Sequence, residues 1–303
     1  MLSYFRINDP YRLIIIFIAL ILLRLPFLTS TDWITVQELK WMVVGEKVND
    51  GALLYSELWD NSGLPAAWVY AFIDLVAGRS VLVYQIVALL IFFLQVGFFN
   101  FIALKHKMYH ENNYLPALFC GILALSLFNI LSLSPALMGL TFILFSINSL
   151  LNYIASRNKL DGSLINIGIQ IGIASLFYLP YFLFLLVHVA ALLFFTSTQQ
   201  RRYLLLLYGI TFPSILIGLY YAWHGHLTDF LNNYFLSLFT IEPEGFMGLG
   251  QIFKLLGLTI TLFLLASPKN TFFFRIQCFS GKNPENYVFV FSRFRPDNDA
   301  LCK

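Results

Sequence analysis

Charge is what this sequence has least of. Asp, Glu, Lys and Arg make up 12% of its 303 residues, against 59% apolar and 17% aromatic residues; a soluble domain carries roughly twice that charged share. So few charges cannot cover a chain this rich in Phe, Leu and Ile with a water-facing surface, and lipid has to be the solvent for most of it. The net charge of +3, without a basic stripe, excludes nucleic acid as a partner. Cysteine is scarce too: Cys120 lies in an apolar run and Cys278 and Cys302 near the C-terminal end, with no CxxC spacing and no disulfide framework. A Walker loop, a dinucleotide fingerprint, a nucleophile elbow and internal repeats are all missing. Arg6 and Arg12 precede an apolar run, but Arg24-Leu25-Pro26 interrupts it and no small-x-small site follows. That run therefore reads as a retained first span rather than a cleaved signal.

What is present is a series of long apolar runs. A membrane helix needs roughly 20 apolar residues, and the candidates are 11–28, 81–104, 116–133, 135–155, 164–179, 180–197, 203–222 and 252–267, with Pro180 dividing the stretch 164–197. The basic pairs Lys105/Lys107, Arg157/Lys159 and Arg201/Arg202 sit in short loops, each two runs from the next. They share a side, which the positive-inside rule makes the cytoplasm, along with Arg6 and Arg12. An even number of crossings must then separate residues 12 and 105. The weaker apolar stretch 64–78 should accordingly not cross, but lie along the outer interface with Trp68, Tyr70 and Phe72 at headgroup depth and Asp74 in water. The expectation is an all-α, polytopic protein of the bacterial inner membrane, with about eight spans, an interfacial helix and both termini cytoplasmic.

Residues 1–267 form one transmembrane domain with an outer loop at 29–79, a short outer turn at 132–134 and a second outer loop at 223–251. After Ser267-Pro268 the apolar pattern stops. Residues 268–303 read as a cytoplasmic tail, or as a frame-altered segment, since 283–303 back-translated one nucleotide on can give another apolar run. The Gly245-Phe246-Met247-Gly248-Leu249-Gly250 run reads as a flexible loop rather than a phosphate cradle.

The first outer loop, 51 residues long among short neighbours, is where function is to be sought. It places Asp32, Glu38, Glu46, Asp50, Glu57, Asp60 and Asp74 beside Lys40, Lys47 and Arg79. An amphipathic helix runs through Glu38, Trp41 and Met42 to Gly45, and a Gly51-x-x-x-Tyr55-x-x-x-Trp59-Asp60-x-x-Gly63-x-Pro65 segment follows. This order, after a first span ending Leu23-Arg24-Leu25-Pro26, resembles the first outer loop of the polyprenyl-phosphate-sugar-dependent membrane glycosyltransferases of the GT-C fold. The resemblance covers roughly residues 10–160. It implies that Asp32 is the catalytic base, that Asp60 to Pro65 help to form the lipid-donor pocket, and that the loop carries juxtamembrane helices. The chain departs from the family pattern with Asp32-Trp33 for an Asp-Glu pair, Gly63-Leu64-Pro65 for Lys-Pro-Pro, and no acidic residue in 131–135. The whole chain also resembles a multispanning membrane family of Bacteroidetes, some of whose members carry a carotene-monooxygenase label.

Transfer of a sugar from a lipid phosphate to a hydroxyl needs a carboxylate base and donors around the departing phosphate. Asp32 suits the first role, and Arg24, Lys40 and Arg79 are the cations near the outer interface in this half of the chain. Glu38, Tyr55 and Asp60 complete the substrate-binding candidates, and a divalent cation is compatible with a phosphate site. Plainer readings stand beside these: Asp32 as a helix N-cap, Arg24 as a snorkelling side chain, Lys40 and Arg79 as interfacial anchors, Glu38 and Glu57 as solvated carboxylates. The alternative function is a non-catalytic scaffold or transporter-like protein. A third, a His-dependent oxygenase, would need His106, His110, His188, His224 and His226 to converge, although the topology puts His106/His110 and His224/His226 on opposite sides. His188 alone in a span reads as a hydrogen-bonded core residue.

Overall fold

The computed structural model describes residues 11–29, 35–58, 62–107, 114–125, 132–156, 160–196 and 200–236. Asp32, Asp60, His110, the apolar run 252–267, the Gly245–Gly250 run and the tail lie outside them. Among the described residues the chain is all-helical: α1 (Tyr11–Thr29), α2 (Val36–Asn49), α3 (Leu64–Ala77), α4 (Val81–Lys105), α5 (Leu115–Leu125), α6 (Pro135–Ala155), α7 (Asp161–Phe177), a 3-10 turn (Leu179–Leu183), α8 (Phe184–Phe195), α9 (Gln200–Trp223) and α10 (Leu227–Leu236).

Three of these, α4, α6 and α9, are long and apolar enough to cross a membrane. At about 1.5 Å per residue, the 25 residues of α4 reach about 37 Å, more than the ~30 Å of a bilayer core. Their outward faces are apolar. Leu82, Ile86, Leu90 and Leu94 recur every fourth residue as an exposed ridge along α4, and Leu204, Tyr208, Ile215 and Leu219 stand out from α9. Such ridges are compatible with a lipid surround. Division of 164–197 falls where Pro180 predicts it: α7 ends at Phe177, and Tyr178 is extended before the turn that carries the proline. Pro213, by contrast, is accommodated within α9.

Contacts fix the helix directions. Gln95 Nε2 donates to the Leu137 carbonyl at 2.6 Å and to Thr141 at 2.8 Å, and His106 meets Asn148 at 3.3 Å, so α4 and α6 run parallel. Gly139 packs on the Ala174 carbonyl while Tyr153 feels the charges of Asp161 and Arg202, so α6 and α7 are antiparallel. Parallel packing of α7 on α9 is close: a Cβ at Gly168 would lie 2.4 Å from the Leu206 carbonyl, and one at Gly172 2.6 Å from that of Ile210. Small residues four apart let the backbones approach. Lys105, Asp161, Arg201 and Arg202 therefore share one end of the bundle, where Arg201 pairs with Asp161 at 2.6 Å. α2, α3, the 132–134 turn, the 3-10 turn and α10 gather at the other.

At that second end the first loop is folded down onto the bundle. Gly63 is the pivot: its N–H donates to the Phe177 carbonyl at 3.3 Å, and a Cβ there would lie 1.6 Å from the Leu176 carbonyl oxygen. Gly63→Ala is expected to destabilise the protein by about 1–3 kcal/mol through backbone displacement, whereas Gly97→Ala, with open space around the added methyl, should be neutral or better. Thermal unfolding of the two variants in one detergent checks the contrast.

Candidate functional site

α2 begins with a reciprocal cap. Thr35 Oγ1 accepts from the Glu38 N–H at 3.3 Å, and the Glu38 carboxylate accepts from the Thr35 N–H at 3.2 Å. This cap, not Asp32, starts the helix, and it folds the Glu38 side chain back against the bundle. Glu38 is consequently 9% exposed rather than solvated, and it lies within electrostatic reach of Arg24, which is 1% exposed on α1. Burial pushes the Glu38 carboxyl above its ordinary range, while the Thr35 N–H and the Arg24 charge pull it back. Lys40, two residues along the helix, points to the exposed side.

One turn on from Glu38, the Trp41 indole stacks on Tyr70, with centroids 6.0 Å apart and planes 11° from parallel, and Tyr70 stacks in turn on Tyr84 at 6.2 Å. Gly45 makes this possible by letting α2 sit against the Tyr70 backbone. The Tyr70 hydroxyl donates to the Leu133 carbonyl at 2.7 Å and that of Tyr84 to the Tyr70 carbonyl at 3.2 Å. Tyr70 is fully buried within the protein. Trp68 and Phe72, which share the opposite face of α3 with Leu75 and Val76, are the exposed aromatics. The turn of Ser132, Leu133 and Ser134 is buried beneath Tyr70, and Ser134 caps α6 by accepting from the Leu137 N–H at 3.0 Å.

Residues 50–58 form a fixed turn. Gly51 and Tyr55 take positive φ angles of 93° and 70°, a conformation that costs a non-glycine residue energy unless its surroundings hold it. Here they do: the Tyr55 hydroxyl donates to the Ser62 carbonyl at 3.0 Å, Asn233 donates to the Tyr55 carbonyl at 2.6 Å, and the Tyr221 hydroxyl donates to the Leu54 carbonyl at 3.0 Å. Tyr55, Tyr221, Phe230 and Tyr234 pack ring against ring, and the Tyr234 hydroxyl reaches the Ser175 carbonyl at 2.9 Å. Helix α10 and its part in this cluster are unexpected from sequence, where the four-residue spacing of Phe230 and Tyr234 marks one apolar face without naming what it covers.

Of the residues singled out from sequence, Arg24 and Glu38 come together at the start of α2. Arg79 pairs with Glu46, two turns further along the same helix. Asp74 accepts from Asn49 at 2.9 Å, Glu57 is exposed, and Tyr55 is buried. His106 lies at the basic end and His224 and His226 at the other, where His226 meets Asp229 at 2.9 Å. His188 is a buried core residue bonded to the Phe184 carbonyl at 2.8 Å. Among the described residues no three His, Cys, Asp or Glu side chains converge on a metal position. No protein-family model, no curated protein and no solved structure matches the chain.

The raised carboxyl of Glu38 sets a pH signature. Because the folded state binds this proton more tightly than the unfolded state, its contribution to stability is complete below the ordinary value of 4.5 and is lost as pH rises through the folded value. Unfolding temperatures measured between acid and neutral pH should fall across that window in the wild type. The slope should flatten in Glu38→Gln, which keeps the amide oxygen for the cap.

Proposed function

We propose that the chain is a multi-pass protein of a bacterial inner membrane that transfers a sugar from a polyprenyl-phosphate donor to a hydroxyl at the outer face. The observation that carries this reading is the buried Arg24 beside the buried Glu38, where the first helix hands over to the first loop. Charges cost several kcal/mol each to remove from water (on the order of the effective penalties for buried ions), and ionisable groups inside a membrane protein are candidates for function by default. A guanidinium offers planar, forked donors to phosphate, and low dielectric strengthens the contact.

In this mechanism Asp32 takes the proton of the acceptor hydroxyl. The acceptor oxygen attacks the anomeric carbon, a new carbon–oxygen bond forms, and the bond from that carbon to the phosphate oxygen breaks. The electron pair leaves with polyprenyl phosphate, whose charge Arg24 holds, with Lys40 and Arg79 as outer cations, and Asp60 serves as a pocket carboxylate. The reading takes about eight spans with the basic end cytoplasmic. α3, whose 14 residues span only about 21 Å, lies at the outer interface with Trp68, Phe72, Leu75 and Val76 toward lipid.

A second reading, a non-catalytic scaffold, is favoured by one specific observation. The Leu54, Tyr55 and Ser62 carbonyls are taken up by hydrogen bonds within the fold, and the 132–134 turn has no carboxylate. Membranes containing the protein, supplied with labelled polyprenyl-phosphate-sugars, separate the two. Wild type should release polyprenyl phosphate, and Asp32→Asn should reduce release by at least ~10³-fold, in the range expected for removing a general base, while accumulating normally. Equal release by both would support the scaffold. For topology, single cysteines at Lys107 and Arg201 should be shielded from an impermeant thiol reagent in intact spheroplasts, and one at Glu57 should react.

A further inference from the structure

We infer that the face of α2 bearing Glu38 and Trp41, beside Arg24, is a pyranose-binding subsite, with the Trp41 indole as the platform on which the sugar ring lies. The inference rests on the transferase reading and deepens it by assigning where the sugar of the donor sits.

The indole has the attributes of a platform. It is half-buried, so part of its surface stays open, and its ring is held parallel to Tyr70, 11° away, within the Trp41–Tyr70–Tyr84 stack. Neither tyrosine beneath it can turn, because each hydroxyl is committed to a main-chain carbonyl. The stack is thus positioned before any ligand arrives, which saves the ordering cost that weakens binding by mobile side chains. One helical turn away, on the same side of α2, Glu38 is held by its cap. Residues three apart on a helix are neighbours, with Cβ atoms roughly 5–6 Å apart, within the dimensions of one sugar ring. Glu38 is nine-tenths or more buried, and Arg24 is beside it.

The chemistry that such a surface recognises is that of a hydroxylated ring with an apolar face. The axial C–H groups of a pyranose lie against an aromatic plane, and its rim of hydroxyls donates to a carboxylate and accepts from a guanidinium. Small-molecule sites are built this way, from apolar walls with a few placed polar groups. A bare phosphate would gain nothing from the indole, and a hydrocarbon chain would leave the carboxylate without a hydroxyl partner. In one surface Trp41 contacts the ring, Glu38 takes its hydroxyls, and the phosphate end of the donor falls to Arg24.

The test uses the full chain in lipid nanodiscs and two probes. Methyl glycosides of the common pyranoses are screened by saturation-transfer NMR, and polyprenyl phosphate binding is followed by native mass spectrometry. At least one glycoside should receive saturation at its axial ring protons. Trp41→Leu should weaken it about tenfold or more, Trp41→Phe should retain most of it, and Glu38→Gln should weaken it about tenfold, equivalent to 1.4 kcal/mol. Polyprenyl phosphate binding should be unchanged in Trp41→Leu, which also confirms that this variant is folded. Lipid-phosphate binding with no Trp41-dependent glycoside signal overturns the subsite and leaves the transferase reading standing. Glycoside binding that is Trp41-dependent, without any binding or release of polyprenyl phosphate, upholds the subsite and overturns the transferase reading. Equal glycoside binding by wild type and Trp41→Leu removes the platform.

Discussion

A main-chain carbonyl shut away from water must find a donor, and the non-basic end of this bundle is organised around that constraint. Tyrosine hydroxyls supply most of the answer. Tyr55 serves Ser62, Tyr70 serves Leu133, Tyr84 serves the carbonyl of Tyr70, Tyr181 serves Ala136, Tyr221 serves Leu54 and Tyr234 serves Ser175. Each residue buries an aromatic ring and brings one donor to the far end of it, so apolar packing and polar satisfaction come from the same side chain. The helix ends and turns that would otherwise need water are bolted to one another. This is how the loop holds a left-handed Tyr55 and a chain as close as Gly63 is to Leu176.

Against that background the two buried charged residues Arg24 and Glu38 stand apart. The described ion pairs, Lys47 with Asp50, Glu46 with Arg79, Asp161 with Arg201 and His226 with Asp229, lie at the surface, where solvent screening leaves them worth little. Arg24 and Glu38 are buried within electrostatic reach of each other, and the capping box fixes the carboxylate in place.

Much of the architecture was legible in the sequence. The runs 81–104 and 135–155 correspond to α4 and α6 within a residue, Pro180 ends α7 where expected, and the amphipathic stretch through Glu38 is α2. Run length and proline are local properties, so they survive the lack of a partner. The facing of helices was not legible. Helices that are apolar all round carry no polar stripe to say which side packs inward, so Tyr70 and Trp68, two residues apart, were assigned together although they lie on opposite faces of α3. Glu38 was misplaced for a related reason. Its charge suggested water, whereas its spacing from Thr35, read as a reciprocal cap, would have turned it inward. Gly168 and Gly172 carried a legible packing signal in their spacing of four. Phe230 and Tyr234 did not disclose that they would close over a turn so distant in sequence.

That distance has a consequence for biogenesis. The Leu54 carbonyl finds its donor in Tyr221, 167 positions later, and the Tyr55 carbonyl finds Asn233, 178 positions later. At typical synthesis rates of 5–20 residues per second, the N-terminal third waits on the order of 10–30 s on the ribosome before its partners exist. Through that interval a half-assembled cap must be shielded by water, headgroups or the insertion machinery. A nascent chain released before α10 emerges would present its turn to solvent as an open, protease-sensitive segment.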